Sequence, residues 1–281
     1  MSATPIDLSR LPAPDVVETI DYEAMLAERK AGILALMPEP KRAEVAATLD
    51  MESEPLAIVL QESVYREMLL RQRVNDAARA VMLAFARNGD LDQIAVLLGV
   101  ERLTIKPADP VTGSPAVMES DPELRYRTQL APQGYSVAGP EGAYKSHALA
   151  AHGAVLDASA TSPAPGEVLV TVLSRAGDGT PAQAVLDAVA TALSAEDVRP
   201  LTDNVTVRGA QIVRYAIDAT LYTFAGPDSS VVLKEARARI DQYVADSHRL
   251  AREVTLSGIY AALHVDGVER IKLNGRCPKF S

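Results

Sequence analysis

The stretch EDVRPLTDNVTVRGAQIVRYAIDATLYTF, residues Glu196 to Phe224, decides how the second half of the chain folds. Its latter part sets Val213, Tyr215, Ile217, Ala219 and Leu221 on one side and Arg214, Asp218 and Thr220 on the other, the alternation of a long half-buried strand. Ahead of it, Arg199-Pro200-Leu201-Thr202-Asp203 makes a polar corner leading into a second extended piece, Val205 to Arg208. Upstream, Thr180-Pro181 is placed to cap a helix with Val185, Leu186, Val189 and Leu193 on its inner side. Before that, AVLDASA (154–160) and GEVLVTVLS (166–174) run extended around the turn Pro163-Ala164-Pro165-Gly166. Strand, strand, helix, strand, strand predicts a small α+β sandwich with the helix laid on one face of the sheet. The polar corner is then the joint between that helix and the returning strands.

Downstream of Gly226-Pro227-Asp228, a helix carries Leu233, Ala236, Ile240 and Tyr243, and a shorter one from Leu256 to His264 leads into DGVERIKL (266–273). This ending echoes an earlier place, where His152, Gly153, Val155 and Asp157 follow a small helix as His264, Gly267, Val268 and Glu269 do here. The echo suggests a strand-entry unit used twice.

Upstream the period is helical. Asp121-Pro122-Glu123 and Gly139-Pro140-Glu141 each start a short helix, and KPADPVTGSP (106–115) reads as a linker, a domain boundary and a place for the chain to pivot. Asp90 is placed as a cap, Leu91, Ile94, Leu97 and Leu98 as a buried face, and Gly99 as a left-handed stop. A long helix is expected from about Pro55 into the eighties. Leu56, Leu60, Val64 and Met68 recur along it, then Val74, Ala78, Val81 and Phe85, with Arg66, Arg71, Arg73 and Arg79 on its other faces. Such a stripe is either a core face or a seam for the helices of another protein. A first helix holds Tyr22, Met25, Leu26, Leu34 and Leu36 and stops before Pro38. The first twenty residues, with Pro5, Pro12 and Pro14, form an extended arm that orders only by lying against its own body or a neighbour. The expected division is an arm over 1–20, a helical partner-binding region over 21–105, a linker and connecting helices over 106–152, an α+β module over 153–224 and a C-terminal α/β module over 225–281. The fold class is α+β, a helical bundle segment followed by small sandwich modules.

Composition narrows the function. The chain has 281 residues, 48% hydrophobic, with no Trp and three Phe, so its core rests on Ala, Val, Leu and Ile. A formal charge of −9, with scattered basic residues, argues against a nucleic-acid partner. A single cysteine, Cys277, cannot make an internal disulfide. No window has the roughly 20 apolar residues of a membrane span, and the N-terminus lacks a signal-peptide core, so a soluble intracellular protein is expected. His147, His152, His248 and His264 do not fall into a metal-ligand spacing. No Gly-x-Ser-x-Gly elbow occurs, and Cys277 between Arg276 and Pro278 is a free thiol without an evident base. Gly177-Asp178-Gly179-Thr180 lacks the lysine of a phosphate loop, and the adjacent Tyr144 and Lys145 cannot act as a pair one turn apart. The sequence predicts no catalytic residues, no metal and no cofactor: a module that makes contacts rather than bonds.

The order of the pieces carries a resemblance. GDLDQIAVLLGVERL (89–103), ELRYRTQLAPQGYSVAGPEGAYKSHALAAHGAVLDASA (123–160), PAPGEVLVTVLS (163–174), VRPLTDNVTV (198–207) and LHVDGVERIKL (263–273) resemble, in sequence, the signature pieces of the baseplate J-like family. These are wedge proteins of contractile phage tails and R-type pyocin-like particles. The opening PIDLSRLPAP (5–14) is similar to the P2-like branch. The resemblance implies a structural, non-enzymatic baseplate component of a virion or tail-like particle, assembled in the bacterial cytoplasm. It implies a homodimer within the wedge, a smaller wedge partner held through the N-terminal helices, and C-terminal contacts between wedges that close a ring around hub and spike. Neighbouring baseplate and sheath-initiating proteins would be further contacts. In that light the partner interface is the stripe Leu56, Leu60, Val64, Met68, Val74, Ala78, Val81 and Phe85. An assembly factor absent from the finished particle and a small-molecule enzyme of α+β type are the alternatives.

Overall fold

The computed structural model describes residues 6–8, 11–12, 14–136, 139–196, 198–200, 202–224 and 229–274. It is mixed α+β, as the periods predict, and divides into two compact units: a helical one over 5–101 with 120–126, and a mixed one holding 102–119 and the chain from 127 onward.

In the helical unit, α1 (Tyr22–Leu36) is capped by Asp21, whose carboxylate accepts from the amides of Glu23 at 2.9 Å and Ala24 at 3.1 Å. It stops at Met37, ahead of Pro38, which has no amide to continue the ladder. A short helix α2 (Arg42–Leu49) and the long α3 (Pro55–Ala80), with proline in its first turn, complete a three-helix cluster. Leu26, Leu49, Leu60 and Val64 form its buried centre, flanked by Tyr22, Met25, Ile33, Leu34 and Val45. At about 1.5–3 kcal/mol for each large apolar side chain taken out of water, this cluster is what holds the three helices together.

Two helix ends differ from expectation. Helix α3 ends at Ala80, and residues 81–85 are turns. The Arg125 guanidinium fastens that turn, donating to the carbonyls of Leu83 at 2.7 Å and Ala86 at 2.6 Å. Helix α4 (Asn88–Val96) starts two residues before the expected Asp90 cap, and the Asn88 amide donates to Asp121 Oδ2 at 3.0 Å. Its buried positions are Leu91 and Ala95; Leu97, expected in the core, is 82% exposed. The helix has ended there, and the left-handed Gly99 (φ 71°) turns the chain so that Val100 is the residue that goes inside.

The mixed unit opens with a hairpin, β1 (Thr104–Lys106) against β2 (Val117–Met118). The stretch read as a linker is spanned by this hairpin at its base and by an Asp109–Ser114 bridge further along. Donation from the Thr112 hydroxyl, then from the Val111 amide, holds the Asp109 carboxyl below its ordinary value. Helix α5 (Asp121–Leu130) begins where Asp121-Pro122-Glu123 was expected to start it. The group that fastens its first turn is Ser120, whose hydroxyl donates to Glu123 Oε2 at 2.9 Å. Helix α6 (Glu141–Ala151) leads into β3 (Val155–Thr161), which pairs antiparallel with β4 (Glu167–Ser174). Strand β4 then crosses over through α7 (Gln183–Leu193) to a parallel neighbour, β5 (Asn204–Gly209). Helix α6 packs on β3 and α7 on β5, and the two helices touch. The core between them includes Tyr144, Ala148, Val170, Val172, Val185 and Val189. Helix α7 is capped at Ala182 with no side-chain bond, not at Thr180, because Gly177 and Gly179 carry the chain through two left-handed residues before the helix can begin.

The largest departure concerns the opening stretch. Its second half does not return to this sheet. The Ala210 amide donates to Val172 O at 2.8 Å, and beyond it residues 211–218 belong to no sheet among the described residues. The strand shortens to β6 (Ala219–Thr223), which pairs antiparallel with β7 (Val268–Leu273). Between them in sequence lie α8 (Ser229–Ser247) and α9 (Leu256–Leu263), whose Val232, Ala236, Ile259 and Leu263 pack with Val265 and Val268 beneath this two-stranded sheet. Both α6–β3 and α9–β7 are helix-to-strand entries, the two places where the sequence echoes itself.

Candidate partner interface

The polar corner and the histidines come first, because they are where chemistry would lie. Asp203 at the corner accepts a hydrogen bond from the buried Tyr144 hydroxyl at 2.6 Å. Burial, reinforced by that carboxylate, pushes the Tyr144 hydroxyl well above the ordinary phenol range, so it stays protonated as a donor. The neighbouring Asn204 amide donates to Gly166 O at 2.7 Å. Each of these contacts joins one backbone element to another. Leu201 lies outside the described residues.

His147 Nε2 lies 3.1 Å from the Gly134 carbonyl, and His152 Nδ1 accepts from the Ala154 amide at 3.0 Å, so both rings are engaged with backbone. Among the described residues no group of three or more His, Cys, Asp or Glu comes together as metal ligands, and no helix is long and apolar enough to cross a membrane. Cys277 lies outside them.

What remains is surface, and among the described residues α3 carries more exposed large apolar side chains than any other element. Leu60 and Val64 from the predicted stripe are buried in the chain's own three-helix core, with Ala57 and Asn75 on the same face. Met68 and Ala78 are half-buried, Leu56 and Val74 are exposed, Val81 is exposed at the helix end, and Phe85 lies past it. The eight residues therefore differ in burial, two in the core and the others half-buried or exposed.

Sequence reasoning missed the apolar residues on the open side: Val59 is 63% exposed and Leu70 68%. At about 100° of turn per residue, Leu56, Val59, Leu70 and Val74 fall within roughly 60° of one another, and Ile58, Tyr65 and Leu69 form a second strip within roughly 40°. The signal was present in the spacing. The every-fourth-residue stripe drew the eye because it is regular, but a run of fours drifts around the helix, whereas the 11-residue step from Val59 to Leu70 nearly closes three turns.

The core side of α3 also holds the arm. Asn75 accepts from the Glu18 amide at 3.0 Å and donates to the Glu18 carbonyl at 2.9 Å, as a neighbouring strand would. Arg71 reaches Glu18 at 3.1 Å and Glu67 at 2.8 Å, and its guanidinium holds the Glu67 carboxyl below its ordinary value. Around Glu18, then, the arm lies on its own helical unit.

Helix α3 thus gives one face to its own core and leaves two apolar strips outside. The model for the baseplate J-like N-terminal domain matches residues 52–109, and the one for the baseplate J-like central domain matches 136–209. Baseplate protein J of Escherichia phage P2 is 52% identical over 270 residues, covering 95% of this chain and 89% of that protein. The chain belongs to the baseplate J-like family, and a structural baseplate component is the role that membership gives it.

Proposed function

We propose that this chain builds the wedge of a contractile-tail baseplate, pairing with a second copy and with a smaller wedge protein through α3, while residues 225–281 make contacts between wedges that close the ring around hub and spike. The carrying observation is the pair of exposed apolar strips on α3, one of Leu56, Val59, Leu70 and Val74 and the other of Ile58, Tyr65 and Leu69. Two strips flanking one core-facing side can receive two different helices, as in a bundle. Region 21–105 is then the partner-binding part, and Leu60 and Val64 support it from inside. The role needs no catalytic group, places the protein in the tail of a particle, and has its assembly in the bacterial cytoplasm.

The test is quantitative mass spectrometry of purified contractile particles carrying wild-type chain or a Leu70→Asp/Val74→Asp variant. The expected results are two copies of the wild-type chain per sector of a sixfold baseplate and loss of the variant from the particle with its circular dichroism spectrum unchanged. Absence of the wild-type chain from intact particles would overturn the proposal in favour of an assembly factor. Normal incorporation of the variant would show that α3 is not the seam.

A further inference from the structure

The four exposed residues of the first α3 strip are spaced almost symmetrically about the level of Tyr65: Leu56 and Val74 lie nine residues either side of it, Val59 six before it and Leu70 five after. A helix turned end over end about that level sets Leu56 on the Val74 of a second copy and Val59 on its Leu70, the self-matching contact that a two-fold axis requires. The second strip lacks this symmetry, since reversal about the midpoint of Ile58 and Leu69 puts Tyr65 over Glu62. The charges beside the first strip bear on direction. Its outer flank carries Glu62 and Arg66, exposed and ion-paired with each other. Its inner flank carries Glu67 and Arg71, a second pair, with Glu67 also held by Arg29. Antiparallel copies meet like flank to like flank, so Glu62 of each faces Arg66 of the other within one residue of the apolar register, about 1.5 Å of rise. Parallel copies meet outer flank to inner flank about five residues on, which sets Glu62 against Glu67 and Arg66 against Arg71, like charge against like.

We propose that a second copy of this chain docks its α3 antiparallel on Leu56, Val59, Leu70 and Val74, with two Glu62–Arg66 pairs crossing the contact, and that Ile58, Tyr65 and Leu69 are left for the smaller wedge protein. This rests on the reading of α3 as a seam and adds which strip takes which helix, and in which direction. The charges choose the direction, as flanking charges do in paired helices, while the apolar residues supply the burial. The inner flank needs nothing from the second copy, because Glu67 already has Arg29 and Arg71 of its own chain.

Disulfide trapping reads the direction. In a Cys277→Ser background, which removes the single native thiol, full-length chains carrying Val59→Cys are mixed with mass-tagged chains carrying Leu70→Cys and mildly oxidised. The expected product is the 59–70 disulfide, at least tenfold above 59–59 and 70–70. Arg66→Glu should raise the dimer dissociation constant at least tenfold, and Glu62→Arg combined with Arg66→Glu should bring it back within about threefold, because reversing both charges restores both crossing pairs. Predominant 59–59 or 70–70 disulfides overturn the antiparallel contact while leaving α3 as the seam. A dimer that forms no disulfide at either position overturns it by placing the self-contact elsewhere, and a doubly reversed variant no tighter than Arg66→Glu overturns the register. A chain that stays monomeric in size-exclusion overturns both this proposal and the self-pairing on which it rests.

Discussion

Replacing Arg127 with methionine should damage the mixed unit more than any surface change, for reasons that lie in one buried pair. Glu119 has 1% of its side chain exposed and Arg127 10%, and the guanidinium donates to Glu119 Oε2 at 2.6 Å. The same oxygen accepts from the Leu103 amide at 3.2 Å, while the Glu119 main chain receives Arg102 at 2.6 Å and donates to Leu103 O at 2.9 Å. Glu119 Oε1 is buried with no partner, so the carboxylate already lacks full compensation. Removing the cation leaves a buried carboxylate with the Leu103 amide as its one remaining contact named above, which costs about 3–5 kcal/mol. With a denaturant slope of about 2 kcal/mol/M for a unit of this size, the urea midpoint should fall by roughly 1.5–2.5 M. The assay is urea unfolding followed by circular dichroism, with hydrogen exchange at the Glu119 amide to place the loss in this unit. Glu119→Met combined with Arg127→Met should recover most of the stability, because an apolar pair of similar volume leaves no charge stranded. A single Arg127→Met variant with its midpoint within 0.2 M of wild type would refute the reasoning, as would a double variant no better than the single.

Tyr144→Phe removes the donor to Asp203 and should destabilise the α6–sheet module by about 1.5–3 kcal/mol, the range for a hydrogen bond to a charged group, seen as a lower melting temperature. Gly153→Ala places a Cβ 2.3 Å from the Thr104 carbonyl, which is backbone and cannot swing aside, so a loss of about 1–3 kcal/mol by thermal unfolding is expected. The Asp178 carboxyl is held down to about 2, first by the Arg214 side chain at 2.8 Å and then by Thr180. A carboxylate depressed in the folded state contributes stability that is complete above its unfolded value near 3.9 and disappears as pH falls towards 2. A carbon-detected NMR titration should give that midpoint in wild type and a higher one in Arg214→Ala.

Local chemistry was readable directly. The Asp21 cap, the stop at Pro38, the proline opening of α3 and the left-handed Gly99 each depend on a few neighbouring residues, so the sequence by itself determined where those helices begin or end. It also determined the mixed α+β class, through the change of period after Gly153, and the family, through the order of its pieces. Alternation along Val213–Leu221 revealed that one face is half-buried from Tyr215 onward, though Val213 is exposed, but carried no information about the partner. The partner, residues 268–273, lies some fifty residues on, and only the packing of α8 and α9 brings it alongside β6. Which side of α3 stays open was decided in the same way. Val64 and Val59 are the same residue type on one helix, and one is core and the other surface because α1 and α2 pack on the first side alone. Glu119 and Arg127 read as ordinary surface charges; their burial as a pair exists only once the hairpin and α5 meet, a contact between segments that no local pattern encodes.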